Sequence, residues 1–192
     1  MSSPSTDASQ GSAKDPYLAA SLPWTNRAAR VAWAIGYTLL VRFSPRPLHA
    51  WRAAVLRAFG ATLGANCHIY PGARIWAPWN LLCEDAVGIA DGAVIYNPAP
   101  IRIGSHGVVS QDAYLCGATH DIDDPAFPMI SAPITIGRYA WICARAVVCS
   151  GVEVGEGAVL GLASVATRNL EPWTVYGGAP ARVIRARRRS RP

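Results

Sequence analysis

The chain has 192 residues, 51% of them apolar, and a net charge of +6. That length fits one domain with a sizeable core, and that composition excludes a disordered chain. Six arginines (Arg182, Arg185, Arg187, Arg188, Arg189 and Arg191) crowd the C-terminus, and elsewhere basic and acidic residues balance. A neutral body with a basic tail can meet nucleic acid, anionic lipid or a phosphorylated ligand through that tail, or leave it solvated.

In chain order, residues 1–16 are rich in Ser, Asp, Gly and Lys and read as a disordered leader. They lack the charged start and apolar stretch of a signal peptide. Residues 17–62 carry helical spacing and predict a helical cap. Within it the apolar run Val31 to Val41 lies between Arg30 and Arg42. It is shorter than the ~20 residues needed to span a bilayer, but such a run can lie on a membrane surface. The stretch SPRPLHAWRAAVLRAFG predicts an amphipathic helix from about Pro47 to Phe59, with Gly60 as its stop.

From Leu63 the period changes to six. Aliphatic or small residues open hexads at 63, 69, 75; 83, 89, 95; 103, 109, 115; 136, 142, 148; and 154, 160, 166. Thirteen of these fifteen are Leu, Ile or Val, with Cys83 and Ala166 the exceptions, and the fifth position is small in eleven. A period of six fits neither a helix nor a flat sheet. It fits a triangular coil of 18 residues per turn, whose first position points inward and whose small fifth position fits the corner. One coil cannot bury its own apolar face, so stability must come from stacking. The prediction is an all-β parallel β-helix of about five coils over 63–171.

Three interruptions, Leu81-Leu82, Ile101-Arg102 and residues 121–135, each follow a third hexad. They must therefore leave from the same corner, and insertions gathered on one side of a repeat array often mark its binding face. The longest carries Asp121, Asp123, Asp124, Pro125 and Pro128 and predicts a protruding polar loop. His120 stands immediately before it. Residues 172–192 form a C-terminal extension that leaves through Pro and Gly turns into the basic tail. The five cysteines, Cys67, Cys83, Cys116, Cys143 and Cys149, form no CxxC pair and no metal-ligand spacing. They predict reduced thiols, a cytoplasmic setting and no metal.

The hexads followed by GGAPARVIR, with FSPRPLHAWRAAVLRAFG, IWAPWNL, AYLCGATHDIDDPAF and WTVYGGAPARV, resemble the hexapeptide-repeat acyltransferases, most closely the colanic acid biosynthesis acetyltransferase type. The resemblance covers about residues 24–186. It implies a left-handed coil, acetyl-CoA as co-substrate, and a homotrimer with sites between subunits. It also implies a sugar hydroxyl as acceptor and His120 as the general base. An alcohol is a poor nucleophile until its proton is removed, and histidine suits that task near neutral pH.

By the same resemblance, Asn97 contacts the acceptor and Trp141 joins the acceptor site near the acetyl and pantetheine region; Asp123, an acid of the protruding loop, can also contact acceptor hydroxyls. Backbone groups of Ala144 and Leu162 pair with pantetheine, while Thr167, Arg168, Arg182 and Arg185 hold the phosphate end. A backbone N–H near Cys143 stabilises the oxyanion. Outward Trp76, Trp79 and Tyr96 suit buried prism faces. His49 reads as a cap contact, and His68 and His106 as solvated corner residues. Arg187 to Arg191 lie beyond the match and read as solvated. Nucleic acid is not an expected partner; peripheral contact with a membrane surface stays open. Three other readings compete: an amine or amino-acid acceptor, a non-catalytic scaffold, and a zinc carbonic anhydrase, for which the histidine spacing is poor.

Overall fold

The hexad period becomes a three-sided prism because every one of its fifteen opening residues, from Leu63 to Ala166, is buried. The computed structural model describes residues 23–188, so the leader and Arg189 to Arg191 lie outside the described residues. The first face stacks Thr62–Leu63, Leu81–Cys83, Ile101–Ile103, Ile134–Ile136 and Glu153–Val154. The second stacks His68–Ile69, Gly88–Ile89, Val108–Val109, Trp141–Ile142, Val159–Leu160 and Thr174–Gly177. The third stacks Arg74–Ile75, Val94–Tyr96, Tyr114–Cys116, Val147–Val148 and Val165–Ala166.

Neighbouring strands within each stack are parallel, and their register keeps like positions together. On the second face Ile69, Ile89, Val109, Ile142 and Leu160 are successive Cα partners, which makes a continuous inner ladder. Five coils are complete. A partial sixth begins where Leu170 bridges Val154 and continues in Thr174–Gly177. Arg182–Ala186 then returns antiparallel to Thr174–Gly177, so a hairpin closes that end.

The interruptions do share a corner, the one after the third face. The short ones extend the first-face strands: Leu81, Ile101 and Ile134 are successive partners and fully buried. That corrects the predicted loop 121–135. Ile134 and Thr135 pair with Ile101 and Arg102 and belong to the prism. The projecting arm is an antiparallel hairpin of Ala118–His120 and Met129–Ser131, so it begins before residue 121 and ends before 135.

The cap is two helices, α1 (Trp24–Gly36) and α2 (His49–Ala58), with a π-helical stretch Tyr37–Arg42 after α1. Gly60, at φ 93°, ends α2 in the left-handed conformation that glycine adopts without penalty. The first coil exposes a row of strand carbonyls, and the cap supplies a donor to each side. Arg57 donates to Leu63 O, Arg52 Nε to Ile69 O at 2.6 Å, and Trp33 Nε1 to Ile75 O at 2.7 Å. These carbonyls belong to the three hexad-opening residues of that coil, so the open edge is satisfied face by face. His49 also reaches Ile69 O and stacks on His68 at 4.8 Å, so His68 borders the cap contact while staying exposed, as expected. Among the described residues no helix is long and apolar enough to cross a membrane.

Candidate active site

His120 ends the outgoing strand of the hairpin, exposed at the third corner. Its Nδ1 lies 2.9 Å from Phe127 O, and its ring stacks on Phe127 at 4.4 Å and 7°. A carbonyl oxygen only accepts, so Nδ1 carries a proton, and in the neutral ring the lone pair is on Nε2. The hairpin that holds this arrangement is tied at both ends. At its root, Ser150 Oγ accepts from Ala132 N at 3.0 Å and donates to Gly117 O at 3.1 Å. At its tip, carboxylates of Asp121 and Asp124 accept from the backbone of Asp123 and Ala126, while the Asp123 side chain points from an exposed position. Phe127 and Ser150 are the positioning residues that sequence reasoning missed. Phe127 acts through its backbone and its ring, in a PAFP turn whose composition does not show which atom faces His120.

Asn97 is not placed to contact an acceptor. It is fully buried, and its side chain brackets Ala77, accepting from Ala77 N at 2.9 Å and donating to Ala77 O at 2.8 Å. It clamps two adjacent coils at the corner. Trp76 and Tyr96 are not bare prism faces. They line a pocket of about 490 Å³ between α1 and the third face, with Arg30, Tyr37, Arg74 and Tyr114. Arg30 lies over the Trp76 ring at 4.1 Å, and Tyr96 meets Trp76 edge-on at 5.4 Å. Tyr96 Oη reaches Met129 Sδ at 3.9 Å, and Met129 is the Cα partner of His120. The pocket therefore abuts the hairpin at its His120–Met129 pair. Trp79 packs against the core instead.

The expected cofactor residues lie in three places. Ala144 and Leu162 sit one coil apart at the corner between the second and third faces, and Leu162 is 70% exposed. Their N–H groups have no partner among the described residues. Thr167, Arg168 and Arg182 share a pocket of about 290 Å³ with Asn169 at the third corner. That corner also carries His120, two coils earlier. Arg185 lies apart, beside Arg187 and Arg188. Arg187 is anchored rather than solvated, donating to Tyr139 O at 2.8 Å and Gly157 O at 3.0 Å. Trp141 stands on the second face, away from the hairpin, with Nε1 donating to Ser110 Oγ at 2.8 Å. His106 stacks on Tyr139 at 4.8 Å, just below it. The Cys143 N–H donates to Leu160 O at 2.9 Å within the ladder, so it does not serve as an oxyanion donor.

In one chain, then, the imidazole and the Ala144–Leu162 edge are separated by the width of the third face. No family model matches the sequence. A protein of Escherichia coli (strain K12) named as a colanic acid biosynthesis acetyltransferase, WcaF, is 39% identical over 155 residues, which cover 81% of this chain and 85% of that one. The chain belongs to the hexapeptide-repeat acetyltransferases. The galactoside O-acetyltransferase of the same organism is 33% identical over 124 residues, covering 64% of this chain and 55% of that protein. A hexapeptide-repeat-containing acetyltransferase of Vibrio cholerae O1 biovar eltor, solved complexed with acetyl coenzyme A, superposes with a TM-score of 0.75 at 28% identity. That superposition covers 85% of this chain and 89% of the other.

For an acetyltransferase the state of the thiols matters, because a thiolate could carry the acetyl group. Burial pushes the Cys67, Cys83, Cys143 and Cys149 thiols above their ordinary range, which keeps them protonated and poorly nucleophilic. Among the described residues no group of three His, Cys, Asp or Glu side chains could hold a metal ion.

Proposed function

We propose that this acetyltransferase moves an acetyl group from acetyl-CoA to a saccharide hydroxyl in cell-surface polysaccharide assembly, in the cytoplasm, with His120 as the base. The observation that carries the reading is the fixed tautomer: Nδ1–H is committed to Phe127 O, which leaves Nε2 free to take a proton. The acceptor oxygen attacks the thioester carbonyl as its proton passes to Nε2. The tetrahedral adduct then collapses, the C–S bond breaks, and the CoA sulfur leaves with the proton returned by the imidazolium. Transfer is direct, in keeping with the protonated thiols of Cys67, Cys83, Cys143 and Cys149.

The aromatic pocket beside Met129 is the place for the acceptor: sugar rings lie against aromatic faces, and Arg30 and Arg74 favour an acceptor bearing negative charge. Asp123, exposed at the tip of the hairpin, would contact the acceptor. Trp141, Ala144 and Leu162 of a neighbouring subunit would flank the acetyl and pantetheine arm. Thr167, Arg168, Arg182 and Arg185 would meet the phosphates. A homotrimer supplies the neighbour. The test is thiol release from acetyl-CoA against a panel of sugars and nucleotide sugars, with His120→Ala as the variant. Turnover is expected to fall by ~10²-fold or more, while acetyl-CoA binding persists. Turnover near wild type would show that another group takes the proton.

A further inference from the structure

Soluble helices bury their apolar side, and α1 buries Trp33 and Gly36 against the prism as expected. Its opposite side is also apolar. Trp24, Val31, Ile35, Leu39 and Phe43, spaced by seven, four, four and four residues, form one stripe along α1 and the π-helical stretch, and each is 57% to 81% exposed. Leu40, Leu48 and Trp51 widen it, with Trp51 Nε1 donating to Leu40 O at 2.8 Å. An apolar surface of this extent marks an interaction site.

Charge indicates the partner. The stripe is flanked by Arg27, Arg42 and Arg46, all exposed, and the sequence has no Asp or Glu between Asp15 and Glu84. Arg46 pairs with Asp91 at 3.0 Å; Arg27 and Arg42 have no acidic partner among the described residues. Two copies meeting stripe to stripe would bring Arg27 and Arg42 together with no carboxylate among the described residues to neutralise them.

From this combination we infer that α1 and the π-helical stretch seat the enzyme on an anionic bilayer surface, the apolar stripe entering the headgroup boundary and the arginines meeting lipid phosphates. The inference does not depend on which acceptor is acetylated. The acceptor pocket is lined by Arg30, Trp33, Ala34 and Tyr37 of the same segment, so docking would leave it open beside the lipid.

The test is co-sedimentation of the full chain with vesicles of phosphatidylglycerol and phosphatidylcholine, and with phosphatidylcholine alone. Binding is expected on the anionic vesicles and about tenfold or more weaker on the neutral ones or at high salt. The double variant Ile35→Glu/Leu39→Glu alters only exposed positions. It is expected to lose binding by about tenfold or more while its circular dichroism, oligomeric state and turnover on a soluble acceptor stay as in wild type. Three results would overturn the inference: wild type remaining in the supernatant with both vesicle types; the variant binding as well as wild type, which would move binding to the arginine tail; or the variant dissociating the oligomer, which would assign the stripe to a second copy.

Discussion

The carbonyl of Phe127 decides which nitrogen of His120 is basic, and nothing in the residue types announces it. Sequence alone placed the imidazole at the right corner, because a histidine at the last position before a break in the hexads must stand where the chain leaves the prism. It could not orient the ring, since that depends on a backbone atom seven residues away. Asn97 shows the opposite limit. It too sits at that corner, but its amide turns inward to both polar groups of Ala77, which is itself fully buried. Asn97→Ala would strand a buried N–H and C=O, at a cost of roughly 2–4 kcal/mol. Chemical denaturation should show that loss, with turnover per folded molecule unchanged. Lost turnover at wild-type stability would return Asn97 to the acceptor site.

Among the elements, the prism was the most legible, because a period of six with aliphatic openers has one physical use. All fifteen openers point inward, and α2 begins and ends within two residues of its predicted bounds. The cap's function as an edge seal was not legible. Arg52 reads as the polar residue of an amphipathic helix, yet it is fully buried. It donates to Ile69 O, Pro45 O, Arg46 O and Ser44 Oγ. Whether an arginine faces water or a row of carbonyls depends on where other strands end in space, which local spacing does not encode. Arg52→Met keeps most of the volume and removes every donor. Hydrogen bonds from a charged group are worth about 1.5–3 kcal/mol each, so a loss of about 3 kcal/mol or more is expected. The denaturation midpoint should fall, and amide exchange should quicken first at Ile69 and its neighbours. An unchanged midpoint would mean that water serves those carbonyls equally well.

For the whole molecule, the decisive feature is the distance between the parts of the proposed site. His120 stands at the third corner, while Ala144 and Leu162 stand at the corner before it, across the full width of the third face. A thioester bound along Ala144 and Leu162 cannot reach the imidazole of its own chain around that face. The neighbouring chain's imidazole can, if prisms pack side by side in a closed ring, where each interface joins different surfaces of the two subunits. This geometry predicts complementation. His120→Ala removes the proposed base, and Leu162→Asp sets a carboxylate at the proposed edge for the anionic cofactor, so on this reading each variant alone should be nearly inactive. Co-expressed in equal amounts, they form mixed rings. An interface then works when its imidazole comes from a Leu162→Asp chain and its cofactor edge from a His120→Ala chain. With random assortment that holds at about one interface in four, so turnover should recover to about a quarter of wild type. A site confined to one chain would recover nothing, because every chain in the mixture carries one lesion.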